Sequence, residues 1–80
     1  MKPVTDRNLL KRIADILRFF DRKTGGAYSI CAPDDFDGIE ISLGGKSLRA
    51  EVYEDDKDFF FIRGDYFHSV SKRALMASTN

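Results

Sequence analysis

The stretch Ile39-Glu40-Ile41-Ser42-Leu43-Gly44-Gly45-Lys46-Ser47-Leu48-Arg49-Ala50 decides the fold. Apolar and polar residues alternate on both sides of a glycine pair, which is the period of a half-buried strand. Two adjacent glycines between such runs signal a hairpin, because a two-residue turn needs positive φ. Folding the chain back at that pair sets Ile41 against Leu48, Ile39 against Ala50 and Glu40 against Arg49. The apolar residues then share one face, and opposite charges meet on the other.

The pattern continues in both directions. Upstream, Ala27 to Ala32 reads as a first strand, ended by Pro33 and the acidic turn Asp34-Asp35-Phe36-Asp37-Gly38. Downstream, the third strand runs through Val52 and Tyr53 to a turn around Glu54-Asp55-Asp56-Lys57-Asp58. The fourth strand, Phe59-Phe60-Phe61-Ile62-Arg63, is apolar on both faces, so its register is open. A two-residue turn at Asp55-Asp56 buries Phe59 and Phe61 beside Val52 and Ala50. A longer loop buries Phe60 and Ile62 instead.

Helices flank the strands. Leu9, Leu10, Ile13, Ile16, Leu17 and Phe20 recur at three- and four-residue intervals, which predicts a helix over 6–23 with one apolar stripe. Thr5 is its expected N-cap, with Val4 and Leu9 closing a hydrophobic staple. Asp6 at the start and Arg22 with Lys23 at the end suit the helix dipole, and Gly25-Gly26 stops the helix. After Gly64, Asp65 is the expected N-cap of a second helix from Tyr66 to about Met76, with Phe67, Val70 and Ala74 on its apolar side. Residues 78–80 should fray. The fold class is therefore α+β: a single domain over 1–80, with an N-terminal helix, a four-stranded antiparallel meander and a C-terminal helix.

Composition bounds the function. An apolar fraction of 42% with 32% charged residues argues against a disordered chain. Net charge is zero, yet residues 1–24 carry seven basic and three acidic groups, while 25–65 carry four basic and ten acidic. A sequence pI of 6.5 counts against a whole-domain nucleic-acid binder, for which pI above about 9 is usual. A single cysteine, Cys31, forbids an internal disulfide, and Lys2 has no apolar run behind it, so neither a secretory leader nor a membrane span is expected. These features predict a soluble cytoplasmic domain.

Motifs for chemistry are incomplete. Gly45-Lys46-Ser47 has the tail of a phosphate-binding loop, but Glu40 stands where the first glycine belongs and a hairpin replaces the strand-to-helix turn. An EF-hand register ending its glycine at Gly38 puts Pro33 and Gly44 at ligand positions. One Cys and one His, Cys31 and His68, cannot make a structural zinc site. A nucleophile and base would need His68 beside Cys31 or a serine, and Asp65 with His68 reads more simply as helix capping. Cys31 reads as a small buried hydrophobe. No catalytic, cofactor or metal residues are assigned, and no enzyme is expected.

Two surfaces remain. Asp34, Asp35 and Asp37 lie in one turn, and Glu54, Asp55, Asp56 and Asp58 in another. A meander brings both turns to one end of the sheet, where seven carboxylates can hold a basic partner. If both helices cover one face, Tyr53, Phe60 and Ile62 lie open on the other, and Phe19 stands out from the first helix. The expected function is a small protein-binding module, an adaptor or an inhibitor of the immunity or anti-defence type. Its partner would be a larger protein that is basic or handles nucleic acid, and the chain itself a monomer or homodimer. The alternative is a nucleic-acid-binding domain, because Arg7, Lys11, Arg18 and Arg22 fall within about 60° of one another on the first helix.

Overall fold

The computed structural model describes residues 1–77, so the frayed tail expected at 78–80 lies outside the described residues. In chain order the elements are β1 (Lys2–Pro3), α1 (Arg7–Lys23), β2 (Ser29–Cys31), β3 (Gly38–Leu43), β4 (Lys46–Glu54), β5 (Asp58–Arg63), β6 (Tyr66–Ser71) and α2 (Lys72–Ala77). Strands β2 to β6 form an antiparallel meander in sequence order, and β1 pairs with the end of β4. It takes the place beside Tyr53 and Glu54 that β3, ending its pairing at Gly38 opposite Glu51, leaves free.

The hairpin that opened the sequence reading forms as expected, with Ile39 opposite Ala50, Glu40 opposite Arg49 and Ile41 opposite Leu48. Gly44 and Gly45 both take positive φ, 57° and 84°, the pair of values that a two-residue hairpin turn demands. Across the next turn Val52 pairs with Phe61 and Glu54 with Phe59, so the tip lies at Asp56-Lys57 rather than at Asp55-Asp56. The pairing moves by two residues, an even shift that preserves the face. Phe59 and Phe61 are therefore the buried pair.

The N-terminal helix begins one residue later than expected, because Asp6 rather than Thr5 caps it. Asp6 has extended backbone, and its carboxylate accepts from the N–H groups of Asn8 and Leu9. A carboxylate there satisfies two orphan donors and complements the positive end of the helix dipole. Leu10, Ile13 and Ile16 are fully enclosed against Ile30, Ile39, Val52 and Phe59. Each such side chain contributes about 1.5–3 kcal/mol relative to exposure. Phe20, expected in this stripe, is 40% exposed.

The C-terminal segment departs most from expectation. Tyr66 to Ser71, read as the first half of a helix, is a fifth meander strand whose pairs run from Arg63–Tyr66 to Asp58–Ser71. Gly64 at φ 54° and Asp65 make the turn, so Asp65 is a turn residue rather than a helix cap. Tyr66, His68 and Val70 alternate with Phe67, Ser69 and Ser71, a period of two. Pairing β5 on both sides outweighs the weak helical stripe. Helix α2 then begins at Lys72, where the Ser71 hydroxyl accepts from the Ala74 N–H, and buries Leu75. Both helices contribute to one core, so the domain is α+β with a helix-bearing face and a helix-free face. No helix of the described residues is long and apolar enough to cross a membrane.

At the start of β3, Gly38 has no room for a side chain. A Cβ there would stand 2.3 Å from the carbonyl oxygen of Ala50 and 2.5 Å from the Phe36 ring. Gly38→Ala is expected to lower stability by about 1–3 kcal/mol and to drop the thermal midpoint by several degrees, about 4–8 °C per kcal/mol for a domain of this size. A melting curve measures both, and an unchanged midpoint would mean that the β3 entrance is looser than these contacts imply.

Candidate functional site

The helix-free face is built by alternation along β3 to β6. Tyr53 stands opposite Phe60, which stands opposite Ser69; Glu51 stands opposite Ile62, which stands opposite Phe67. The Phe60 and Phe67 rings meet with centroids 5.5 Å apart, tilted by 33°. Phe67 is 56% exposed, while Tyr53, Phe60 and Ile62 are half-buried. The Tyr53 hydroxyl donates to Glu51 at 2.6 Å, and the loss of that bond on ionisation pushes the phenol above its ordinary value. Phe67 was assigned to a helix from the sequence, so the fourth member of this patch came only from the β6 strand pairing.

Further along the same face, Cys31, Glu40 and Arg49 occupy one row across β2, β3 and β4. Arg49 Nε donates to Glu40 at 2.9 Å and its guanidinium reaches Asp35 at 3.6 Å. The bond from Arg49 holds the Glu40 carboxyl below its ordinary range. Cys31 is exposed, contrary to the buried position expected for it, and its thiol donates toward Glu40 at 3.7 Å. Desolvation and the Glu40 charge raise the thiol pKa. His68 lies on the opposite edge strand and faces the other way, so Cys31 and His68 do not share a site.

The two acidic turns do come to the same end of the meander, as the topology requires. Much of their charge is already engaged. Asp37 pairs with Arg7 at 2.8 Å, Asp35 with Arg49, and Glu54 with Lys72 at 2.7 Å. The N-terminal residue and Lys2 line the same concavity as Glu54, Asp55 and Asp56. Asp55 turns its carboxylate onto its own loop, accepting from the N–H groups of Lys57 and Asp58 at 2.8 and 2.7 Å. Those backbone bonds lower its pKa. Asp34, Asp56 and Asp58 make no ion pair among the described residues.

The basic row on α1 divides in the same way. Arg7 donates to the carbonyl oxygens of Pro33 and Phe36 as well as to Asp37, tying the helix start to the β2–β3 loop. Arg18 pairs with Asp15 and donates to the Ile30 carbonyl at 3.3 Å. Lys11 and Arg22 make no ion pair among the described residues. Phe19 lies on α1, 40% exposed, edge-on to Phe20 at 6.1 Å and beneath the Lys23 ammonium at 4.8 Å. It is remote in role from Tyr53, Phe60 and Ile62, because α1 sits on the other side of the sheet.

The helix-bearing face has an opening that the sequence did not signal. Helix α1 lies over β2 and β3, while α2 packs on β5 and β6. On the part of this face that neither helix covers there remains a groove of about 320 Å³, floored by Ile41, Leu48, Phe61 and Val70, with Leu17 of α1 as a wall. Arg63, Tyr66 and His68 are its polar lining. Comparison with protein-family models, curated proteins and solved structures returns no match to this chain.

Two measurements separate structural charges from free ones. Arg7→Met is expected to cost about 1–2 kcal/mol, the worth of charge-assisted bonds at a part-exposed site, and to shift the amide resonances of residues 34–37. Lys11→Met should do neither. The Asp55 carboxyl is lowered on folding, so its contribution to stability is complete above the ordinary value of 3.8 and is lost as pH falls through the folded value. The stability gap between the protein and Asp55→Ala should therefore be constant near neutrality and close below about pH 4. A gap independent of pH would rule out the ionised carboxylate as the cap.

Proposed function

We propose that this chain is a small non-enzymatic binding module, an adaptor or inhibitor, that docks on a larger protein through the helix-free face of its sheet. The observation that carries this reading is the cluster of Tyr53, Phe60, Ile62 and Phe67 on a face that no described element covers. Aromatic side chains offer large contact area at low entropic cost and are enriched among the residues that dominate binding energy. Glu51, Asp56 and Asp58 border the cluster or its end of the sheet, so a partner with an apolar anchor ringed by Lys or Arg is complementary to it. Of the other acidic-turn carboxylates, Asp35, Asp37 and Glu54 are committed to ion pairs and Asp55 to turn bonds, while Asp34 stays unpaired among the described residues. The acidic turns are therefore assigned to steering, and the aromatic patch to affinity.

The nucleic-acid alternative has less support. Two of its four residues, Arg7 and Arg18, donate to backbone carbonyls and pair with carboxylates of the same chain. Lys11 and Arg22 alone make a weak phosphate track, since the electrostatic affinity for nucleic acid grows with the number of phosphates neutralised.

Affinity capture of tagged protein at low salt, with and without nuclease, tests the reading when run beside Phe67→Ser. Because Phe67 is mostly exposed, that variant should melt as the parent does. It should nevertheless lose about tenfold or more in affinity for a nuclease-resistant basic protein. Capture of nucleic acid instead, or capture unaffected by Phe67→Ser, would overturn it.

A further inference from the structure

The groove on the helix-bearing face has a chemical polarity that the helix-free face lacks. Its 320 Å³ falls at the lower end of the range for small-molecule sites, about 300–1,000 Å³. The floor and wall are aliphatic or aromatic: Leu17, Ile41, Leu48, Phe61 and Val70. Leu48 is 45% exposed there, an uncovered apolar side chain on the inner face of a sheet. The polar groups lie together. Arg63 and Tyr66 are the last pair before the Gly64-Asp65 turn, and His68 follows two residues on along the same face. Tyr66 and His68 stack with centroids 6.4 Å apart.

All three of these side chains can donate hydrogen bonds, and no carboxylate lines the groove. Arg7, Arg18 and Arg49 each pair with a carboxylate of the chain. Arg12, Arg22, Arg63 and Arg73 make no ion pair among the described residues, and of these Arg63 is the one that lines the groove. Arg63 lines an otherwise apolar trough, and a guanidinium's fork of donors matches a carboxylate in two parallel bonds. Apolar walls also reduce the screening of such a pair.

We propose that this groove is a binding site for a small amphipathic anion, with an acyl or aromatic body lying along Leu48, Phe61 and Val70 and a carboxylate held by Arg63. The site is separate from the aromatic patch assigned to the protein partner, because it lies on the opposite face of the sheet. Its occupancy does not depend on that assignment.

Titration of the ¹⁵N-labelled full chain with sodium decanoate, below its micelle concentration, tests the site directly. Saturable shifts are expected at the amides of Leu17, Leu48, Phe61 and Arg63. Decanoate should bind at least about tenfold more tightly than decyltrimethylammonium, which has the same chain and the opposite charge. Arg63→Gln should weaken decanoate about tenfold, the worth of a charged hydrogen bond, while leaving decanol unchanged. Leu48→Asp, which puts a carboxylate into the groove, should remove binding of decanoate, and Phe67→Ser on the other face should not affect it. Phosphatidylglycerol vesicles separate a free ligand from a membrane surface: binding to vesicles without binding to monomeric decanoate overturns the proposal. So do equal affinities for the anion and the cation, shifts centred on Phe60 and Phe67, or an Arg63→Gln variant that folds and binds as the parent does.

Discussion

Helix α1 is about 25 Å long and about 10 Å across, whereas five strands spaced about 4.8 Å apart present a face about 19 Å wide. One long helix cannot cover that face, and the described residues add only the six of α2. The core therefore concentrates where α1 lies over β2 and β3, with Val52 of β4 and Phe59 of β5 packed in behind, and where Leu75 closes the far side. Everything left open follows from this limit. The groove is the part of the inner face beyond both helices, and the aromatic patch lies on the outer face, for which no helix exists among the described residues.

Charge is used in the same economical way. The chain is neutral overall, but three of its ion pairs join segments distant in sequence: Arg7 to Asp37, Arg49 to Asp35, Lys72 to Glu54. Each pair is part-exposed and individually modest in energy. Their value lies in which loops they hold. Arg7 binds two backbone carbonyls that the irregular β2–β3 loop would otherwise leave to solvent. A small domain with few buried side chains gains order in its loops by this route, and fewer charges remain for partners than the sequence suggests.

The sequence was legible where one signal dominated. Alternation around Gly44-Gly45 specified the β3–β4 register to the residue, and the spacing from Leu9 to Leu17 specified α1. Phe59 to Ile62 was ambiguous because an all-apolar strand carries no period. Its face was settled by the Asp55 carboxylate, which closes the turn at Asp56-Lys57. Tyr66 to Ser71 misled because Phe67, Val70 and Ala74 sit at helical spacing, while the alternation that makes β6 is weak in serine-rich sequence. An open face carrying Tyr53, Phe60 and Ile62 was one of the outcomes the sequence allowed, conditional on both helices sharing a face, but Phe67 and the groove both depend on β6 and were hidden with it. Likewise, seven acidic residues in two turns could be counted in advance. Which of them face cations could not, since those cations come from three separate elements, Arg7 of α1, Arg49 of β4 and Lys72 of α2.

The order of the meander has a kinetic meaning. Each strand from β2 to β6 pairs with its neighbour in sequence, so the sheet can zip outward from the Gly44-Gly45 hairpin while closing only short loops. Lys2 opposite Glu54 is the exception, a closure that spans the whole of α1 and three strands. Helix α1 precedes in the chain every strand that encloses it, so Leu10, Ile13 and Ile16 wait first for Ile30 of β2 and Ile39 of β3, and then for Val52 and Phe59 to complete the enclosure. The longest helix is thus made before any of the surface on which it packs.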